Sequence, residues 1–215
     1  MAIEEAPDSA ALPQLAAELT TEQADAWYKL ALSLAGQTTS DGQIDQLAAI
    51  LAESPHLSRL ANQFADDVPV LIAGHWQDIL TACRQDWQAA CLASLSDLKL
   101  LAEIRRFRNR AHLSIALSEL LAVIDIQQSW ELLSQIAEEA VQGVVTSLMQ
   151  GQVAEGCGWV IIGLGKLGAG ELNYSSDIDL IALYDERADR TANPAVSDKQ
   201  ARHFTALTRR LSQLL

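Results

Sequence analysis

Between residues 151 and 185 the pattern of the chain changes, and this change constrains the fold more than any other feature. Upstream, apolar residues recur three and four positions apart. Downstream, "WVIIG" (159–163) is a short β-branched run ending on glycine, which predicts a buried strand. "KLGAGELNYSS" leaves room for two helical turns at most, followed by a polar loop. "DIDLIALYD" (177–185) alternates and predicts a second strand, with Asp177 and Asp179 on one face and Ile178 and Leu180 on the other. Helices first and strands afterwards make an α+β chain.

Everything up to about residue 150 reads as an α-helical bundle. "TTEQADAWYKLALSLAG" opens with a capping pair, Thr20 and Gln23, and stops at Gly36. Further helices are expected at 42–53, 56–65 and 75–92, separated by breaks such as Ser54-Pro55 and Asp66-Asp67. A long stretch, 96–124, carries Leu98, Leu101, Ile104, Leu120, Leu121 and Ile124 as its buried stripe. The helix at 127–150 carries Trp130, Leu133, Ile136, Val141, Val144 and Leu148. After the second strand comes a loop, then a helix capped by Ser197 that runs to Leu215. The division expected is a helical domain over 1–155 and a second, incomplete domain over 156–215. Two strands alone make a poor sheet.

Composition narrows the function. The formal net charge is −13, and residues 1–100 hold 4 Lys/Arg against 14 Asp/Glu, so non-specific binding to nucleic acid is not expected. No apolar run reaches the roughly 18–20 residues that span a bilayer, and "MAIEEAPDSAALPQ" lacks the order of a signal peptide. Cys83, Cys91 and Cys157 lack metal-type spacing, and the first two read as small core residues. A reduced, cytoplasmic protein fits, with neither membrane nor nucleic acid as partner.

"GLGKLG" (163–168) also matches G-x-G-x-x-G, and Asp185 stands 22 residues after Gly163, near the spacing of a dinucleotide fold. That fold needs a full helix between the strands, and "LGAGELNYSSD" is too rich in glycine and polar residues to make one. It would also bury Asp179 in a strand covered on both faces, where an unpaired carboxylate is costly.

A strand, a glycine turn, a short helix and a strand bearing Asp-x-Asp instead resemble the nucleotidyltransferase superfamily. Glycine admits a phosphate close to the backbone, and N–H groups at the helix start point towards it. Lys166 either adds a positive charge to that cradle or is solvated. Carboxylates at i and i+2 leave one strand face and can share divalent metals, which hold phosphates and stabilise attacking and leaving oxygens. Ser175 and Ser176 either bond locally or touch nucleotide.

Longer motifs narrow the resemblance. "GLGKLGAGELNYSSDIDLIALYD" closely resembles the signature of glutamine synthetase adenylyltransferase/deadenylylase, and "SPHLSRLA" and "IRRFRNRAHLSIALSELL" look like segments of the same family. The resemblance covers roughly residues 50–215. It implies a nucleotidyltransferase fold that removes AMP from a tyrosine of glutamine synthetase by phosphorolysis, giving ADP, while a C-terminal half adds AMP from ATP. It implies Asp177 and Asp179 as catalytic metal ligands for Mg2+, and Gly165, Lys166, Gly168 and Ser176 around the nucleotide. The substrates and products would be ATP, ADP and phosphate. Glutamine synthetase and a PII-type nitrogen regulatory protein would be the partners.

The chain departs from the family where a "DLRLRP"-like segment should supply a third carboxylate. The resemblance therefore implies a truncated N-terminal fragment with little or no activity alone. Two other readings remain: a nucleotidyltransferase acting on a small molecule, and a non-catalytic helical binding module. Arg105, Arg106, Arg108 and Arg110 either form exposed ion pairs or face phosphate or a partner, while the four histidines are scattered.

Overall fold

Ser54 starts the first described helix by accepting the N–H of Leu57 at 3.3 Å, and Pro55 takes the first helical position, where its missing N–H costs nothing. The structure, a computed structural model, describes residues 51, 53–150, 158–184 and 194–215. The helix expected at 20–36, with Thr20 and Gln23, lies outside these residues, as do Cys157, Asp185 and all of the helix expected at 42–53 except residues 51 and 53, which are helical. The backbone forms two compact units, Met1–Trp76 and Gln77–Leu215. In the first, α1 (Pro55–Gln63) buries Leu60 and Ala61, and a short α2 (Val68–Ile72) buries Val68, Leu71 and Ile72. The sequence reading had only a break at Asp66-Asp67 there. A single turn is too short for periodicity to reveal.

Three long helices dominate the second unit: α3 (Trp76–Leu92), α4 (Asp97–Leu120) and α5 (Ile126–Met149). On α3, Leu80, Cys83, Trp87 and Cys91 follow helical spacing and are buried, so both cysteines are core residues as expected. On α4 the stripe is Leu100, Ile104, Phe107, Ala111 and Ile115. Leu98 and Leu120, expected in that stripe, are instead 81% and 38% exposed. Each is two positions in sequence from a fully or nearly fully buried residue (Leu100, Ser118), a rotation of about 200° around the helix. On α5, Leu133, Ile136, Val141, Val144 and Leu148 are buried as expected, whereas Trp130 is partly exposed.

Helix α5 opens with a capping box: Asp125 accepts the N–H of Gln128 at 2.8 Å, and the Gln128 side chain accepts the N–H of Asp125 at 3.1 Å. Trp87 fastens α3 to its neighbours. Its ring stacks on Phe107 at 5.5 Å, and its Nε1–H donates to the carbonyl of Glu139 at 2.9 Å. Gly143 on α5 makes room for that ring, since a Cβ there would stand 2.5 Å from Trp87. Beside it, Arg84 and Glu139 pair at 2.8 Å.

The sheet has two antiparallel strands, β1 (Trp159–Gly163) and β2 (Leu180–Tyr184), with Trp159 opposite Tyr184 and Gly163 opposite Leu180. Antiparallel pairing excludes the dinucleotide fold, whose first two strands run parallel. Between the strands lies α6 (Gly165–Ala169), a single turn and a half, which touches β1 and α5. The closing helix, α7 (Pro194–Leu214), begins ahead of the expected Ser197 and packs on α4, α5 and β2. Its buried stripe is Phe204, Leu207, Leu211 and Leu214, and the ring of Phe204 stacks on both Trp159 and Tyr184. The result is a mostly helical α+β chain with a small sheet. No helix among the described residues is long and apolar enough to cross a membrane.

Candidate active site

Strand β1 delivers the chain into a turn that only glycine permits at two points. Gly165 has φ +55°, in the left-handed region where a side chain is strained. At Gly168 a Cβ would lie 2.7 Å from the carbonyl oxygen of Gly163, backbone against backbone. The N–H of Gly168 donates to Leu164 at 3.1 Å, and Glu171 N–H donates to Lys166 at 2.8 Å, closing the short helix. Lys166 is exposed on this turn.

Strand β2 starts at Leu180, so Asp177 and Asp179 precede it rather than lying inside it as the alternation of 177–185 predicts. The ladder still reaches Asp179, whose carbonyl accepts the N–H of Leu164 at 2.9 Å. Exposure alternates from Asp177 to Leu183, so Asp177, Asp179, Ile181 and Leu183 share the open side. The Asp179 carboxylate reaches the glycine turn, with Oδ2 3.8 Å from where a Cβ on Gly165 would stand. The glycine turn and the aspartate segment therefore lie side by side.

The loop between them, Glu171–Ser176, is tied to the helices. Leu172 is buried, and its N–H donates to Ser134 Oγ on α5 at 3.0 Å. Tyr174 donates its phenol hydrogen to Glu119 Oε2 on α4 at 2.8 Å. Burial and this carboxylate push the Tyr174 phenol far above the ordinary tyrosine range. Ser176 donates to Asn173 Oδ1 at 2.6 Å and its N–H to the Asn173 carbonyl at 3.1 Å, so in this structure its hydroxyl serves the turn. The Tyr174 and Ser134 attachments escaped the sequence reading, because nothing local in "ELNY" announces partners so distant along the chain.

The aspartates offer exposed, hard oxygen donors, a fit for Mg2+, which takes one or two protein carboxylates and fills its shell with water and phosphate. Among the described residues no third His, Cys, Asp or Glu completes a cluster. A cleft of about 1060 Å3 runs from Gln88 and Gly143 to the glycine turn at Gly163 and Gly168, and neither aspartate borders it. Of the arginine cluster, Arg110 pairs with Asp86 on α3 at 3.2 Å, while Arg105, Arg106 and Arg108 are exposed.

A glycine turn set against a pair of exposed carboxylates is thus carried on a helical scaffold. A family model described as glutamate-ammonia ligase adenylyltransferase matches residues 44–215. The chain belongs to this family. Similar proteins include one from Brucella suis, 31% identical over 187 residues, covering 80% of this chain and 18% of that protein. Another from Mesorhizobium japonicum is 34% identical, covering 87% and 20%. A third from Rhodopseudomonas palustris is 30% identical, covering 93% and 20%. Each is named a bifunctional glutamine synthetase adenylyltransferase/adenylyl-removing enzyme. The chain spans about a fifth of the length of the curated relatives it matches.

Proposed function

We propose that this chain carries the helical lead-in, residues 1–155, and the opening of a nucleotidyltransferase domain, residues 156–215, of an enzyme that removes AMP from a tyrosine of glutamine synthetase. A phosphate oxygen attacks the adenylyl phosphorus, the bond from phosphorus to the tyrosine oxygen breaks, and ADP leaves while the tyrosine regains its proton. The observation that carries this reading is the approach of the Asp179 carboxylate to Gly165, which sets a metal-binding type of group beside a backbone position that bears no side chain.

Asp177 and Asp179 would hold Mg2+, which when bound supplies charge stabilisation to the oxygens of the transferring phosphoryl group. Gly165 leaves the backbone open to the phosphates, Gly168 lets the short helix close against the Gly163 carbonyl and so shapes that turn, and the exposed Lys166 adds positive charge. Ser176 shapes the loop ahead of Asp177 and would have to give up its bond to Asn173 to donate to nucleotide. Adenylylation from ATP, and regulation by a PII-type protein, belong to the remaining length of the longer relatives. With two carboxylates the chain by itself has little or no activity.

The test is Mg2+-dependent ADP binding by calorimetry, on this chain and on one extended through the strands that follow in the longer relatives, with Asp179→Asn as control. Binding by the extended chain that Asp179→Asn abolishes supports the reading. Absence of binding in both removes it and favours a helical binding module.

A further inference from the structure

We infer that the hydrogen bond from Tyr174 to Glu119 is a latch through which helices α4 and α5 position Asp177 and Asp179. The inference rests on the reading of these aspartates as metal ligands. Tyr174 stands three residues before Asp177, and its partner Glu119 lies 55 residues away on α4. Leu172 adds a second attachment, its N–H on Ser134 Oγ of α5. The His112 and Tyr174 rings pack perpendicular to each other, with centroids 6.2 Å apart, a further contact between the loop and α4.

From this anchor to the first aspartate the chain has little freedom. Asn173 and Ser176 bond to each other through backbone and side chain, closing a tight turn. On the far side, the carbonyl of Asp179 is held by the N–H of Leu164. The aspartate segment is thus tied to the helices at one end and to the glycine turn at the other, with Asp177 between the ties. Metal ligands need placement to about half an ångström, and exposed carboxylates preceding a strand do not supply this unaided. Tyr174 and Glu119 are positioning residues in this scheme, without contact to the metal.

The experiment measures Mn2+ uptake by electron paramagnetic resonance in the presence of ADP, together with amide hydrogen exchange at Leu164 and Ser176. The proteins are the wild-type chain, Tyr174→Phe, Glu119→Ala and Glu119→Gln, whose amide oxygen still accepts the phenol hydrogen. Tyr174→Phe and Glu119→Ala are expected to weaken Mn2+ binding about 10-fold or more, as loss of an outer partner of a metal ligand does. Both should speed exchange at Ser176, and Glu119→Gln should restore both readouts. Unchanged exchange in Tyr174→Phe and Glu119→Ala overturns the latch, and so does wild-type Mn2+ affinity in those two variants. If the wild-type chain takes up no Mn2+, the uptake is measured on the chain extended through the strands that follow in the longer relatives, and absence of uptake there overturns the metal reading instead. The latch is then decided by exchange alone, with faster exchange at Ser176 supporting it.

Discussion

The N–H of Leu164 donates to the carbonyl of Asp179 across 2.9 Å, one position beyond the last rung of the sheet, where Gly163 faces Leu180. This bond sets the glycine turn beside the aspartates. It also gives the pair a fixed backbone on one side while leaving both carboxylates exposed.

Because Asp177 and Asp179 are exposed and form no ion pair with another described residue, Asp177→Asn and Asp179→Asn should leave thermal unfolding nearly unchanged. Surface changes of this kind stay within about 0.5 kcal/mol. Metal-dependent nucleotide binding should be lost in both. A large fall in melting temperature would show that the carboxylates serve the fold.

Gly168→Ala should destabilise the second unit by about 1–3 kcal/mol, the usual penalty for forcing extra volume into a packed site. The clash is with the Gly163 carbonyl, which cannot swing away as a side chain would. Denaturant unfolding followed by tryptophan fluorescence reads this, with Trp159 at the head of the affected strand.

Gly143→Ala probes the helical half in the same way. Its Cβ would meet the Trp87 ring at 2.5 Å and Cys91 Sγ at 2.6 Å, so a loss of about 1–3 kcal/mol is expected. The Trp87 emission should shift as the ring leaves Phe107, while nucleotide binding should suffer less than in Gly168→Ala.

Burial pushes the Cys91 thiol up to about 11 from its ordinary 9.0. The folded chain thus holds this proton more tightly than the unfolded chain. The stability this contributes is present below pH 9 and is lost as the pH rises from 9 towards 11. Denaturant midpoints at pH 8 and pH 10 should differ less in Cys91→Ala than in the wild type. At pH 8 the native thiol should resist alkylation.

Removing the capping box by Asp125→Ala should cost about 1 kcal/mol, read from thermal unfolding. The box starts α5 at Ile126, one residue ahead of the expected 127.

Helices α3, α4 and α5 were legible because each has to bury one stripe, and residues such as Ile104, Leu133, Ile136 and Val144 repeat at helical spacing. Leu98 and Leu120 misled for the same reason. Apolar residues at either end of a long helix fit the count, but which of them is covered depends on where the neighbouring helices stop. The glycine turn was legible through Gly165 and Gly168, whose requirements are local, and the aspartate pair through its spacing.

The order of helices, turn and strands was legible from local pattern, as were the glycine turn and the aspartate pair. These follow from backbone sterics and from periodic burial, which act over a few residues. Only the tertiary structure decided that the strands run antiparallel, that β2 begins after Asp179, and that Tyr174 and Leu172 fasten the aspartate loop to α4 and α5. Those features depend on hydrogen bonds and contacts between residues far apart in the chain.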